Sequence, residues 1–108
     1  MCHCLACQRR TGSAFGMQAR WPKDRVRVSG RSTEYLRSSD DGHERTFRFC
    51  PDCGTTVFWT NEDSPDVVAV AIGAFADPSF PQPTASVYGS RQYRWLSQPD
   101  GIEEEHGD

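Results

Sequence analysis

A chain of 108 residues, 36% hydrophobic and with mean hydropathy -0.68, has room for one domain with a small core and none for a second. No apolar leader opens it and no stretch approaches the ~18 apolar residues of a membrane span, so it reads as soluble and cytoplasmic, with no membrane partner. A net charge of -3 argues against a dedicated nucleic-acid binder.

The charge is uneven. Residues 1–54 carry ten Lys+Arg against six Asp+Glu, and residues 55–108 carry two against nine. The basic half is almost all arginine, whose planar fork suits carboxylate or phosphate groups; a solvated face with local ion pairs is the plainer reading.

Along the chain, three cysteines fall in the first seven residues, followed by Gln8, Arg9, Arg10, Thr11, Gly12 and Ser13, which read as a loop or a single helical turn. Val26-Arg27-Val28 alternates and Thr33-Glu34-Tyr35-Leu36 is rich in strand formers, so both are expected strands. Ser38-Ser39-Asp40-Asp41-Gly42 is a turn. Phe47-Arg48-Phe49 alternates again and runs into Cys50-Pro51-Asp52-Cys53-Gly54, with a further β-type run at residues 55–59. Residues 67–72 are continuously apolar, which fits a strand buried on both faces or a short buried helix. Ser86-Val87-Tyr88 and residues 92–96 are candidate short strands. With no window of ten residues at a 3.6 period, the class is mainly β with irregular loops. The domain is expected over residues 1–98 and a frayed acidic tail over 99–108.

Five cysteines are many for this length, and a small core usually needs a staple. In a reducing compartment clustered cysteines favour metal over disulfides. Cys2-His3-Cys4-Leu5-Ala6-Cys7 is a C-x-C-x2-C cluster, and Cys50-Pro51-Asp52-Cys53-Gly54 is a C-P-x-C-G knuckle in which Gly54 can take the positive φ of a tight turn. Two ligand sets stay open. One structural zinc could take Cys50, Cys53 and two of Cys2, Cys4 and Cys7. Alternatively, Cys2, Cys4 and Cys7 together hold an ion whose fourth position is left for water or a substrate. A substrate thiol bound there would be deprotonated, and Arg9 and Arg10 could offset the anionic site and hold a substrate carboxylate. In an extended segment His3 points away from both neighbouring sulfurs, which suits a supporting or solvent role. His43 sits in a turn-like region and His106 in the tail.

The run C-H-C-x2-C-Q-R-x-T-G-S-A-F from Cys2 to Phe15, with F-C-P-D-C-G from Phe49 to Gly54, resembles the glutathione-dependent formaldehyde-activating family, which includes centromere protein V-like domains. Residues 72–78 and Trp95 add weaker likeness. The resemblance implies a β-tent fold with two zinc ions: a catalytic one on Cys2, Cys4 and Cys7, and a structural one half-held by Cys50 and Cys53. The family's other half-site is a C-x-C pair preceding the catalytic cluster. This sequence opens one residue before Cys2, so it is expected to be N-terminally truncated, with a bared sheet edge that a homodimer would cover. The implied activity is that of a carbon–sulfur lyase-type enzyme joining glutathione to formaldehyde as S-hydroxymethylglutathione, with substrate contacts from Gln8, Arg9, Arg10, Thr11, Gly12 and Ser13. A non-catalytic zinc module for protein or nucleic-acid interaction, or an inactive relative, is the alternative.

Overall fold

The computed structural model describes residues 1–39 and 42–105. Its contacts divide the chain into two compact units, one of Gln18–Ala76 and one of Met1–Met17 with Asp77–Asp108. The class is mainly β, as expected: seven strands and one α-helix among the described residues. None of their helices is long and apolar enough to cross a membrane.

The first unit is a five-stranded antiparallel sheet. Its strands are β1 (Gln18–Pro22), β2 (Thr33–Ser38), β3 (Glu44–Phe49), β4 (Thr56–Asn61) and β5 (Ser64–Ala71), in the order β1-β5-β4-β3-β2. One cross-strand row explains its core. Tyr35 lies opposite Phe47, Phe47 opposite Trp59, and Trp59 opposite Ala69. The Phe47 and Trp59 rings pack with centroids 5.3 Å apart, and both are buried with Ala69. Directly opposed side chains on one face are the unit of sheet stabilisation. Arg37 caps the row, its guanidinium 4.7 Å from the Phe47 ring centre. Val68 and Ala69, neighbours on opposite faces of β5, are both buried, so the expected two-sided burial of this apolar run holds.

One expectation needs correction here, and one strand was not expected. Val26-Arg27-Val28 is not a strand. It follows a 3-10 helix, Lys23–Arg25, which Val26 closes by donating to the Lys23 carbonyl, and Val28 is left exposed. Three alternating residues with no partner strand do not make a ladder. β1, which residue types did not announce, forms because it pairs along β5 from Gln18↔Ala71 to Pro22↔Val67. It is an edge strand, where proline is tolerated. At the expected turn after β2, Asp40 and Asp41 lie outside the described residues, while Gly42 (φ +86) donates to the Ser39 carbonyl.

The second unit holds α1 (Leu5–Thr11) and a parallel pair, β6 (Ala85–Val87) with β7 (Glu103–Glu105). Of the expected loop or single turn at residues 8–13, residues 8–11 are thus the second half of a seven-residue helix that starts inside the cysteine cluster, and Gly12 and Ser13 follow its end. Glu103–Glu105, expected to fray, is paired through its backbone to β6; residues 106–108 lie outside the described residues. The expected strand at 92–96 is a turn, in which Leu96 donates to the Tyr93 carbonyl and the Gln92 side chain to that of Leu96. Its two aromatics, Tyr93 and Trp95, pack on each other edge to face instead of on a sheet.

Candidate metal centre

Cys4 is the N-cap of α1, in extended conformation (φ -62, ψ 153), and its sulfur accepts a 3.3 Å hydrogen bond from the Cys7 amide. Cys7 is the third residue of the helix. N-cap and third positions face each other in a capping arrangement, so the C-x2-C spacing brings the two sulfurs to one side of the first turn. Cys2 is delivered by backbone pairing. It bridges Gly16 through two 2.9 Å hydrogen bonds and also bridges Val87 of β6. Gly12 ends the helix in left-handed conformation (φ +65), donating to the Gln8 carbonyl at 2.8 Å.

The three sulfurs all lie within 4.8 Å of one another. A zinc ion at about 2.3 Å from each thiolate needs sulfurs roughly 3.8 Å apart, so small side-chain movements close this set on an ion. Among the described residues this is the one group of three or more His, Cys, Asp or Glu side chains placed to hold a metal. An all-sulfur donor set suits a borderline ion such as zinc and not a hard cation.

Crowding favours the protonated form of Cys2 and Cys7 when no metal is bound. Hydrogen bonds from Cys4 and then Cys7 push the Cys2 thiol far above its ordinary value of 9.0, and burial adds to the shift. Cys7 is raised too: its hydrogen bond with Cys2 pulls down, but the Cys4 hydrogen bond and burial outweigh it. The Arg10 guanidinium favours the Cys7 thiolate. Gly16 shows how close these groups are. A Cβ there would lie 3.0 Å from Arg10 Nη2, 3.2 Å from Cys7 Cβ and 3.5 Å from Cys7 Sγ.

The residues after Cys7 divide by what they already bond. Gln8 Nε2 donates to the carbonyls of His3 (2.9 Å) and Arg91 (3.0 Å), clamping the cluster to the turn that follows β6. Thr11 Oγ1 donates to the Cys7 carbonyl at 2.8 Å and is hydrogen-bonded to Ser13 Oγ, which donates to Phe15 O. Arg9 is exposed.

His3 is fully buried, so the solvent role does not apply. Its Nε2 shares a 3.0 Å hydrogen bond with the buried Ser86 hydroxyl, and its ring lies 5.8 Å from that of Phe15. Burial lowers its pKa, and the Gln98 side chain pulls the other way. Sequence reasoning missed Gly16, Ser86 and Gln98 as neighbours of the cluster. No spacing signal marks them, because strand pairing and loop closure bring them in from 14 and more residues away.

The knuckle forms the β3–β4 connection of the sheet unit. Cys50 donates to the Thr55 carbonyl and Gly54 to that of Cys50, both at 2.8 Å, and Gly54 has the expected positive φ of +77. Cys53 is exposed, and a 3.1 Å hydrogen bond with Thr55 Oγ1 is the main cause of its lowered pKa.

Residues 1–91 match the family model described as glutathione-dependent formaldehyde-activating enzyme. The chain belongs to that family. No curated protein matches it significantly. Members of the glutathione-dependent formaldehyde-activating family act on glutathione and formaldehyde and are associated with carbon–sulfur lyase activity. The match takes in the thiol cluster, all of the sheet and β6.

Proposed function

We propose that the protein is a zinc-dependent carbon–sulfur lyase-type enzyme that adds the glutathione thiol to formaldehyde, giving S-hydroxymethylglutathione. The observation that carries this reading is the three-sulfur cluster, closed enough to share an ion and one ligand short of a tetrahedron. Cys2, Cys4 and Cys7 are the proposed ligands, and Cys50 with Cys53 form a second, half-complete zinc site. When bound, zinc supplies a position at which an incoming thiol ionises while its sulfur stays nucleophilic.

The chain's own groups then orient and balance the reaction. Arg10, beside Cys7, offsets the negative charge of the thiolates and, with the exposed Arg9, meets the carboxylates of glutathione. Gln8, Thr11, Gly12 and Ser13, whose bonds run to nearby backbone and to each other, hold the loop in shape around those arginines. The sulfur forms a bond to the aldehyde carbon, the C=O bond opens to a hydroxyl, and the thiol proton ends on that oxygen. Formaldehyde needs little activation, so positioning and thiolate formation supply most of the rate.

The test is free formaldehyde followed over time with purified, zinc-loaded protein, with and without glutathione. Glutathione-dependent loss that disappears in Cys4→Ser is the expected result. Equal loss in the variant, or none in the wild type beyond the uncatalysed rate, refutes the assignment and leaves a non-catalytic zinc module.

A further inference from the structure

We propose that His3 is a positioning residue of the metal centre, aiming Cys2 and Cys4 at Cys7 through its bond to Ser86. The inference rests on the reading of the three thiols as ligands. Extended backbone sends alternate side chains to opposite sides, so burying His3 on one side points Cys2 and Cys4 to the other. The residue is held from several directions. Its amide donates to the Val87 carbonyl at 3.1 Å, its carbonyl accepts from Gln8 Nε2, its ring packs near Phe15, and its Nε2 meets Ser86 Oγ.

A fully buried imidazole is a costly space-filler, because a polar group taken from water must recover its hydrogen bonds. An apolar side chain would fill the same volume without that demand. What the imidazole adds is direction: one bond to Ser86, itself only 1% exposed, fixes the ring's rotation and with it the backbone between the two sulfurs. Groups that orient metal ligands from outside the coordination shell act in this way, and losing one weakens metal affinity about 10- to 100-fold.

The test uses the full chain loaded with cobalt(II), whose thiolate charge-transfer absorption reports the sulfur ligands, and a chelator that takes the metal away. Ser86→Ala and His3→Phe are expected to release cobalt about 10- to 100-fold faster than wild type, with altered charge-transfer intensity. His3→Gln, whose Nε2 reaches the same hydroxyl, and Ser86→Thr, which restores it, should recover most of the retention. Melting of the metal-free proteins provides the control for folding. Wild-type release rates in Ser86→Ala and His3→Phe overturn the proposal, as does an increase that the Gln and Thr variants fail to reverse. A wild type that binds cobalt without thiolate absorption overturns the ligand assignment itself, a result distinct from either.

Discussion

In the sheet unit the buried side chains are Phe47, Trp59, Val68 and Ala69, while in the unit built on α1 they are Cys2, His3, Cys7 and Ser86. The first set is an ordinary apolar core, organised by strand register. The second contains no large aliphatic side chain and no phenyl or indole ring, and its one buried imidazole is hydrogen-bonded through Nε2 to Ser86 while its Nδ1 has no hydrogen-bond partner among the described residues. Apolar burial is the main favourable term in folding, so a unit with little of it needs another source of stability, which the proposed zinc would supply. The two regions therefore depend on different physics.

The largest expected effect follows from that difference. Stripping the metal with a chelator should remove amide-exchange protection from residues 1–17 and 77–105 while β3, β4 and β5 stay protected. Loss of protection in both units together would break the comparison. The same experiment has a pH arm. Cys2 and Cys7 are held protonated in the metal-free state, so metal uptake must release protons, and apparent affinity should rise with pH. Because folded thiols with raised pKa bind protons more tightly than unfolded ones, the metal-free unit should also weaken as pH rises past 9.0. An affinity flat between pH 6 and 8 would mean that the thiols are not the ligands.

Next in size is the sheet core. Trp59→Ala and Phe47→Ala should each cost about 3–5 kcal/mol, because truncating a buried aromatic leaves a cavity in the row that Ala69 and Tyr35 continue. Denaturant melts of metal-loaded protein measure this, and a cost below about 1 kcal/mol would show that the row is not the core. Metal should not rescue these variants.

How much of this was legible in the sequence depends on the range over which each feature is decided. The knuckle and its glycine were readable because a tight turn is local and only Gly54 suits its φ of +77. The strands carrying Phe47, Trp59 and Val68 were readable from alternation, from β-forming residue types and from continuous apolarity respectively. β1 was not, because Gln18, Arg20 and Pro22 are poor strand formers that only pairing with β5 makes extended. α1 was seen in part, since cysteine is an unusual N-cap and hides the helix start. Of the candidate centre, the three thiols and Arg10 were legible; Ser86 was not, lying 83 residues beyond His3.

Gly16→Ala sharpens the comparison at an intermediate size. Gly16 has no positive φ, so its need for glycine is one of room. The added methyl would press on Cys7 Cβ, held by the helix, and on the mobile end of Arg10. Overpacking of this kind costs about 1–3 kcal/mol. If Arg10 yields, metal stays bound and KM for glutathione rises; if Cys7 yields, metal is lost. A variant indistinguishable from wild type in both would show that the loop has slack.

The smallest effect is expected at the knuckle. Arg31 reaches both Asp52 oxygens, at 3.3 and 3.4 Å, but the two side chains are 77% and 76% exposed. Water and salt screen such a pair, so Arg31→Ala should change stability by less than about 0.5 kcal/mol. Its effect belongs to Cys53 instead. The Thr55 hydroxyl is what chiefly lowers that thiol's pKa, and the Asp52 charge opposes it. Removing Arg31 leaves Asp52 uncompensated, so Cys53 should ionise slightly less at neutral pH and react more slowly with iodoacetamide, while Thr55→Val should slow it further. A fall in melting temperature without change at Cys53 would reverse the assignment, making the ion pair part of the turn's framework and not of its thiol's environment.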